Sequence, residues 1–234
     1  MEEPQWMAST LLGRLDPPAR AALLSAGVRR HRATGDVLIH EGLLESHVIV
    51  LMDALVKVTA TLPKHRQALM AIRVSGDIVG EMSALNGRPR SATVTTCRPS
   101  TVRVIGRDSF RAFLRAHSDA AIEVAGIVAD RLRWANRQRA DFASYPVKIR
   151  LARALWEIGV RYGRRTPDGI AVDLDITQQE LATLCGAADI TVHKALRELR
   201  EKNLIGTHYR SLVIRDAEAL KVVARLDERW TGEP

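Results

Sequence analysis

The sequence is poor in the features that define several large protein classes. Only two cysteines, Cys97 and Cys185, occur in 234 residues, far apart and among apolar or small neighbours. Neither a disulfide framework nor a zinc or iron–sulfur cluster is built from such a pair, and both are expected to be buried packing thiols. No uninterrupted apolar run approaches the roughly 20 residues needed to span a bilayer. The start, Met1-Glu2-Glu3-Pro4, is acidic where a signal peptide is basic. A cytoplasmic protein with no membrane partner is therefore expected. The chain also lacks a Ser-His-Asp order, paired carboxylates in a pocket context and a Walker-type glycine loop, so it does not read as an enzyme. No catalytic residue and no metal ligand is assigned.

What is present is an ordinary globular composition, 46% hydrophobic and 26% charged, enough to bury a sizeable core. A net charge of +8 suggests a polyanionic partner. Lys and Arg outnumber Asp and Glu by 16 to 10 over 1–116, match them at 4 to 4 over 117–145, and lead by 15 to 13 over 146–234. Most of the excess lies outside the C-terminal third, so bulk charge alone does not locate a nucleic-acid surface.

The pattern changes along the chain. Leu11 to Leu24 reads as short helices, with Asp16 able to cap and Pro17 or Pro18 fitting a first turn. From about Arg30 to Arg107 short β-branched runs, such as Val37-Leu38-Ile39, His47-Val48-Ile49-Val50-Leu51 and Leu55-Val56-Lys57-Val58-Thr59, are punctuated by Gly35-Asp36, Glu41-Gly42, Ser75-Gly76-Asp77 and Asn86-Gly87. Short, closely spaced strands with glycine turns indicate a β-sandwich or barrel-like roll. No proline interrupts 118–144, which reads as one long helix. On it Ala125, Val128, Leu132, Ala135 and Phe142 form a three-four apolar seam, broken at Arg139, long enough to pair with a second copy. Pro146 ends that helix. Beyond it come a helix to about Tyr162, a polar turn over 163–169, and a short strand over 170–174. The capping box Thr177-Gln178-Gln179-Glu180 then opens a helix that stops at Gly186. A second helix from about Asp189 to Lys202 and a hairpin ending at Ile214 complete the order of a winged helix-turn-helix.

Two constellations carry chemistry. Gly80-Glu81-Met82-Ser83-Ala84-Leu85-Asn86-Gly87-Arg88-Pro89-Arg90-Ser91 starts a short helix whose free N–H groups can face an anion, and returns Arg90 and Ser91 beside that start. Arg90 suits a phosphate, Ser91 can hydrogen-bond it and Glu81 can accept from a sugar hydroxyl. An ordinary Glu81–Arg90 ion pair is the plainer alternative. In the second helix of the C-terminal unit Val192, Ala195, Leu196 and Leu199 share one face and should pack inward. Ile190, Lys194, Arg197 and Glu201 then face outward, with Asp189 at the start, where it can simply cap.

Together with Gly35-Asp36-Val37-Leu38-Ile39-His40-Glu41-Gly42 and Gly76-Asp77-Ile78-Val79-Gly80-Glu81, the first constellation resembles the phosphate-binding cassette of cyclic-nucleotide-binding domains. From Leu11 to Asp216 the chain resembles the cyclic-AMP receptor and Fnr-type (Crp/Fnr) regulator superfamily. The resemblance implies an α+β chain: a jelly-roll sensor over 1–116, a dimerisation helix over 117–145 and a winged helix-turn-helix over 146–234. It implies a homodimer acting on double-stranded DNA and with RNA polymerase. No cofactor is required, and cyclic AMP or cyclic GMP is the implied effector. The effector site carries over as Gly80, Glu81, Met82, Arg90 and Ser91, with base contacts from Ala135 and Asn136. Cyclic-AMP-responsive members usually have Thr followed by Ser or Asn at that pair, so the adenine-reading hydroxyl is missing here while Asn136 keeps a donor and an acceptor. Met52-Asp53-Ala54 also stands where the family's strand usually ends in glycine.

Iron–sulfur sensing, used elsewhere in the superfamily, needs clustered cysteines. A haem ligand would have to be one of His31, His40, His47, His65 or His117, and isolated histidines are more often surface groups. For DNA the resemblance implies contacts from Thr177, Gln179, Ala188, Asp189, Ile190, Thr191, Lys194, Arg197 and His208. The family's base readers, commonly Arg, Glu and Arg, fall on Asp189, Ile190 and Lys194, so only the last keeps its charge and the usual operator is not expected. Thr177, Gln179, Thr191 and His208 match phosphate-contacting positions. A DNA-binding regulator whose roll is a degenerate, ligand-independent scaffold or is tuned to another effector or protein partner, and a cyclic-nucleotide signalling subunit without DNA binding, are the competing readings.

Overall fold

The computed structural model describes residues 6–63, 66–172, 176–208 and 211–226, without the side chains of His208 and Ser211. Expected strand residues Asp173 and Leu174, and His65, lie outside the described residues. The chain divides into two compact units, residues 1–132 and 133–234.

The first unit opens with α1 (Leu11–Arg14) and α2 (Pro17–Ser25), the latter capped by Asp16 with prolines in its first turn, as the sequence implied. Among the described residues eight strands follow: β1 (Val28–Arg32), β2 (Val37–Ile39), β3 (Val48–Asp53), β4 (Leu55–Leu62), β5 (Arg66–Val74), β6 (Ile78–Val79), β7 (Thr93–Thr96) and β8 (Ser100–Ile105). They form two four-stranded antiparallel sheets in the orders β1-β8-β3-β6 and β2-β7-β4-β5. Helices α3 (Glu81–Asn86), α4 (Arg107–Ala116) and the first part of α5 (Ser118–Ser144) complete the unit.

The uninterrupted apolar run in β3 is explained by burial on both faces. Ile49 and Leu51 join Ile39, Val56, Val94 and Val102 in one cluster, whereas Val48 and Val50 join a second with Leu12, Leu23, Phe110, Val124 and Ile127 from the helices. Each of the four is at most 2% exposed, and burying a side chain of this kind stabilises by roughly 1.5–3 kcal/mol. The link from β3 to β4 is made without glycine: Ala54 is buried, donates its N–H to Ser75 Oγ at 3.0 Å and is not among the residues with positive φ. Met52 and Asp53 are thus the last residues of β3, and Ala54 alone links it to β4 in the other sheet.

α5 runs over the span that the absence of proline implied, and Pro146 ends it. Ala120, Val124 and Ile127, spaced four and three apart, are buried in the first unit. The expected seam lies elsewhere on the helix: Ala125 and Ala135 are exposed, Val128 is half-buried, and Leu132 and Phe142 stand 62% and 41% exposed in the single chain.

The second unit contains α6 (Val147–Tyr162), β9 (Arg164–Thr166), β10 (Gly169–Val172), α7 (Gln178–Leu184), α8 (Asp189–Glu201), β11 (Ile205–His208), β12 (Ser211–Ile214) and α9 (Ala217–Val223). Its sheet has the order β11-β12-β10-β9. The stretch 163–169 is a strand and a turn rather than a turn alone: Arg164 to Thr166 pairs with β10, and Thr166 Oγ1 closes the turn on the carbonyl of Gly169 at 3.0 Å. Cys185 is buried as expected, but Cys97 is only half-buried, a correction that follows from its place just beyond the end of β7. Among the described residues no helix is long and apolar enough to cross a membrane, and no His, Cys, Asp and Glu grouping could hold a metal ion.

Candidate effector pocket and DNA-reading face

The cassette folds around a left-handed residue at its start. Gly80, at φ 82°, precedes α3, and a Cβ there would lie 2.6 Å from Arg90 Nη1 and 2.9 Å from the carbonyl oxygen of His47. Only glycine meets both demands. The approach lets Arg90 Nη1 donate to the Gly80 carbonyl at 3.0 Å and Nη2 to the His47 carbonyl at 2.6 Å. Arg90 is 3% exposed, and its Nε is buried without a hydrogen-bond partner. Burial pulls its pKa down, opposed by the charges of Glu45 and Glu81. Burial and the Arg90 charge likewise hold the pKa of His47 below the ordinary histidine value, with Glu45 acting the other way.

Glu81 does not pair directly with Arg90. It is 4% exposed and accepts from Arg131 Nη1 on α5 at 2.8 Å, while Arg131 Nη2 donates to the Ile78 carbonyl at 2.8 Å and lies 3.6 Å from Asp77. The plainer ion-pair alternative is thus replaced by a different pair. Arg131 was not singled out from the sequence; the one available signal is its position four residues before Ala135, on the same helix face. Ser91 is exposed, with its Oγ 3.9 Å from Met82 Sδ, and Met82 is itself exposed. Gly80, Glu81, Met82, Arg90 and Ser91 are therefore brought together. Ala135 and Asn136 stand exposed on the part of α5 that belongs to the second unit.

In the second unit the capping box forms as read. Thr177 Oγ1 accepts from the Glu180 N–H at 3.1 Å, and the Thr177 N–H donates to Glu180 Oε2 at 2.7 Å. The turn uses Gly186 at φ 58°, where a Cβ would crowd the Phe142 ring at 3.1 Å. In α8, Val192, Ala195, Leu196 and Leu199 are buried, and Ala188, Asp189, Ile190, Thr191, Lys194 and Arg197 are exposed. Ile190 is 80% exposed. Ala188, with no side-chain cap, holds the N-cap position; Asp189 is the first helical residue, where its charge complements the helix dipole. Gln179 is exposed as well. Arg197 lies 3.5 Å from Glu201, a solvent-exposed pair of little energetic weight. His208 ends β11, and its side chain lies outside the described residues.

A β-roll with a cassette of this form, a long helix and a winged helix-turn-helix define a DNA-binding transcription regulator with a sensor domain. The cyclic nucleotide-binding domain family matches residues 29–117, and the Crp-like helix-turn-helix domain family matches residues 149–223. The CRP-like cAMP-activated global transcriptional regulator of Mycobacterium tuberculosis is 28% identical over 211 residues, 90% of this chain and 94% of the relative. The cAMP-activated global transcriptional regulator CRP of Salmonella typhimurium is 26% identical over 179 residues, 76% and 84% of the two chains. A CRP-family transcriptional regulator from Thermus thermophilus superposes with a TM-score of 0.71 at 25% identity, covering 84% of this chain and 97% of that one. The protein belongs to the Crp/Fnr family of DNA-binding transcription regulators.

Proposed function

We propose that this regulator acts as a homodimer whose DNA affinity is set by a cyclic nucleotide held in the β-roll by Arg90, Ser91, Glu81 and the backbone of Gly80 and Met82. The observation that carries the reading is Arg90. A buried guanidinium hydrogen-bonded to neutral carbonyls is costly unless an anion compensates it, and its Nε has no partner. The cAMP-activated relatives in Mycobacterium and Salmonella lend support. Ala135 and Asn136 are the base-facing residues in this reading, with residues 117–145 as the dimerisation helix between a sensor over 1–116 and a DNA-binding domain over 146–234. The exposed seam at Ala125, Leu132 and Phe142 supports self-pairing. A two-fold dimer reads a palindrome whose half-site centres lie about one helical turn of DNA apart. The groove residues are Ala188, Asp189, Ile190, Lys194 and Arg197, with Thr177, Gln179, Thr191 and His208 on phosphates. RNA polymerase is the further partner implied, a DNA target supports a cytoplasmic location, and the protein works by binding rather than catalysis.

One observation favours a second reading, a ligand-independent scaffold: the Glu81 carboxylate is already engaged by Arg131, and Ala135 offers no hydroxyl. Calorimetric titration of the pure protein with cyclic AMP and cyclic GMP decides between them. Saturable binding of either supports the effector reading, and heat changes indistinguishable from dilution support the scaffold.

A further inference from the structure

We propose that Arg107 and Arg111 are positioning residues for the effector cassette, clamping the far end of α3 so that Gly80, Glu81 and Arg90 hold the geometry an anionic ligand requires; this rests on the effector reading above. The six residues of α3 are too few to form a stable helix unaided, so its ends must be fixed from outside. At its start the Arg90 guanidinium holds the Gly80 carbonyl and Arg131 holds Glu81 and the Ile78 carbonyl. At its end the Gly87 N–H donates to the Ser83 carbonyl at 2.9 Å, and the carbonyls after it lie beyond the reach of the helix ladder. Arg107 Nε donates to the Ala84 carbonyl at 3.1 Å, and Arg111 Nη2 donates to the Leu85 carbonyl at 2.8 Å.

The two donors are four residues apart, on one face of α4. Their positive charges also suit the negative end of the α3 dipole. A Cβ at Gly87 would lie 3.2 Å from Arg107 Nη2, so the guanidinium closes directly over the helix end. Phe110 and Phe113, at 0% and 7% exposure, anchor α4 in the core and keep both arms in place. α4 ends at Ala116 and α5 begins at Ser118. The cassette helix is thus gripped at its end by α4 and at its start by Arg131 of the next helix. Any shift of these two helices moves α3, and a ligand that fixes α3 resists that shift.

The test compares the full-length protein with Arg107→Gln, Arg111→Gln, the double variant and Arg111→Lys, reading amide exchange over 78–91, nucleotide titration and thermal unfolding. In the double variant exchange over 81–87 should accelerate and cyclic-nucleotide affinity fall about tenfold, the effect of losing charge-assisted hydrogen bonds. Exchange in α8 should not change, and Arg111→Lys should retain most of the affinity. Unaltered cassette exchange together with unaltered affinity in the double variant overturns the clamp. If the unsubstituted protein binds neither nucleotide, the effector reading fails, and the exchange comparison still decides: faster exchange upholds the clamp and equal exchange rejects it. Should the double variant not fold, the single variants are judged by the same measurements.

Discussion

The cassette and helix α8 are opposite solutions to presenting polar groups. In the cassette the decisive side chains are buried and already hold other parts of the protein: Arg90 grips two carbonyls and Glu81 accepts from Arg131. On α8 the buried face is purely apolar, and the polar face, Lys194 included, points to solvent. Under the proposed function, a substitution in the cassette is expected to disturb folding and recognition together, and one on the exposed face of α8 to alter recognition with little effect on stability.

The largest expected effect breaks both regions at once. Leu132→Glu places a carboxylate in the exposed seam of α5, and burying it against a second copy would cost several kcal/mol. Light scattering should report monomers and operator binding should be lost; a mass that stays dimeric removes the seam from the interface. Next, Arg90→Ala should abolish nucleotide binding and also lower stability by about 1–3 kcal/mol, because the Gly80 and His47 carbonyls lose their donor. Thermal unfolding beside calorimetry checks both halves.

The α8 counterpart should leave stability alone. Lys194→Ala should cost roughly 1–3 kcal/mol of operator affinity and relax preference at one position of each half-site, while Arg197→Ala should weaken all sequences alike and reduce the salt slope by about one. Site selection from a random pool with each variant separates them, and an unchanged consensus for Lys194→Ala would contradict its reading role. A smaller gain is expected from Ala135→Thr, which should strengthen cyclic-AMP binding by about 0.5–1.5 kcal/mol through a restored hydroxyl.

The smallest effect concerns pH. The pKa of His47 is lowered in the folded state by burial and by Arg90, so its neutral form is favoured there. The associated stability is present above the ordinary value of 6.5 and lost as the pH falls below it. His47→Gln should flatten that part of a stability profile measured across this window by denaturant unfolding.

Much of both regions was legible from spacing. The capping box at Thr177 and the helix stop at Pro146 are set by interactions between residues close in the chain, and the β3 run and the inward face of α8 are visible as side-chain patterns even though distant residues cover them. Asp189 shows the limit of such reading: it is a good capping residue, yet the cap fell one position earlier, on Ala188. The polar residues Arg164 to Thr166 have the composition of a turn, yet they form a strand because β10 offers a partner.

The sequence by itself determined the order of the elements, the apolar faces they bury and the set of residues in the cassette, because backbone geometry and side-chain periodicity are local properties. Tertiary structure alone decided what those cassette residues touch. Glu81 and Arg131 are 50 positions apart, as are Lys148 and Glu198 in the second unit, and Arg111 reaches Leu85 across 26. Such bonds depend on how a helix docks against the elements around it, and a guanidinium, with five donors on a long flexible stem, can satisfy any carbonyl or carboxylate within reach. Only packing selects one.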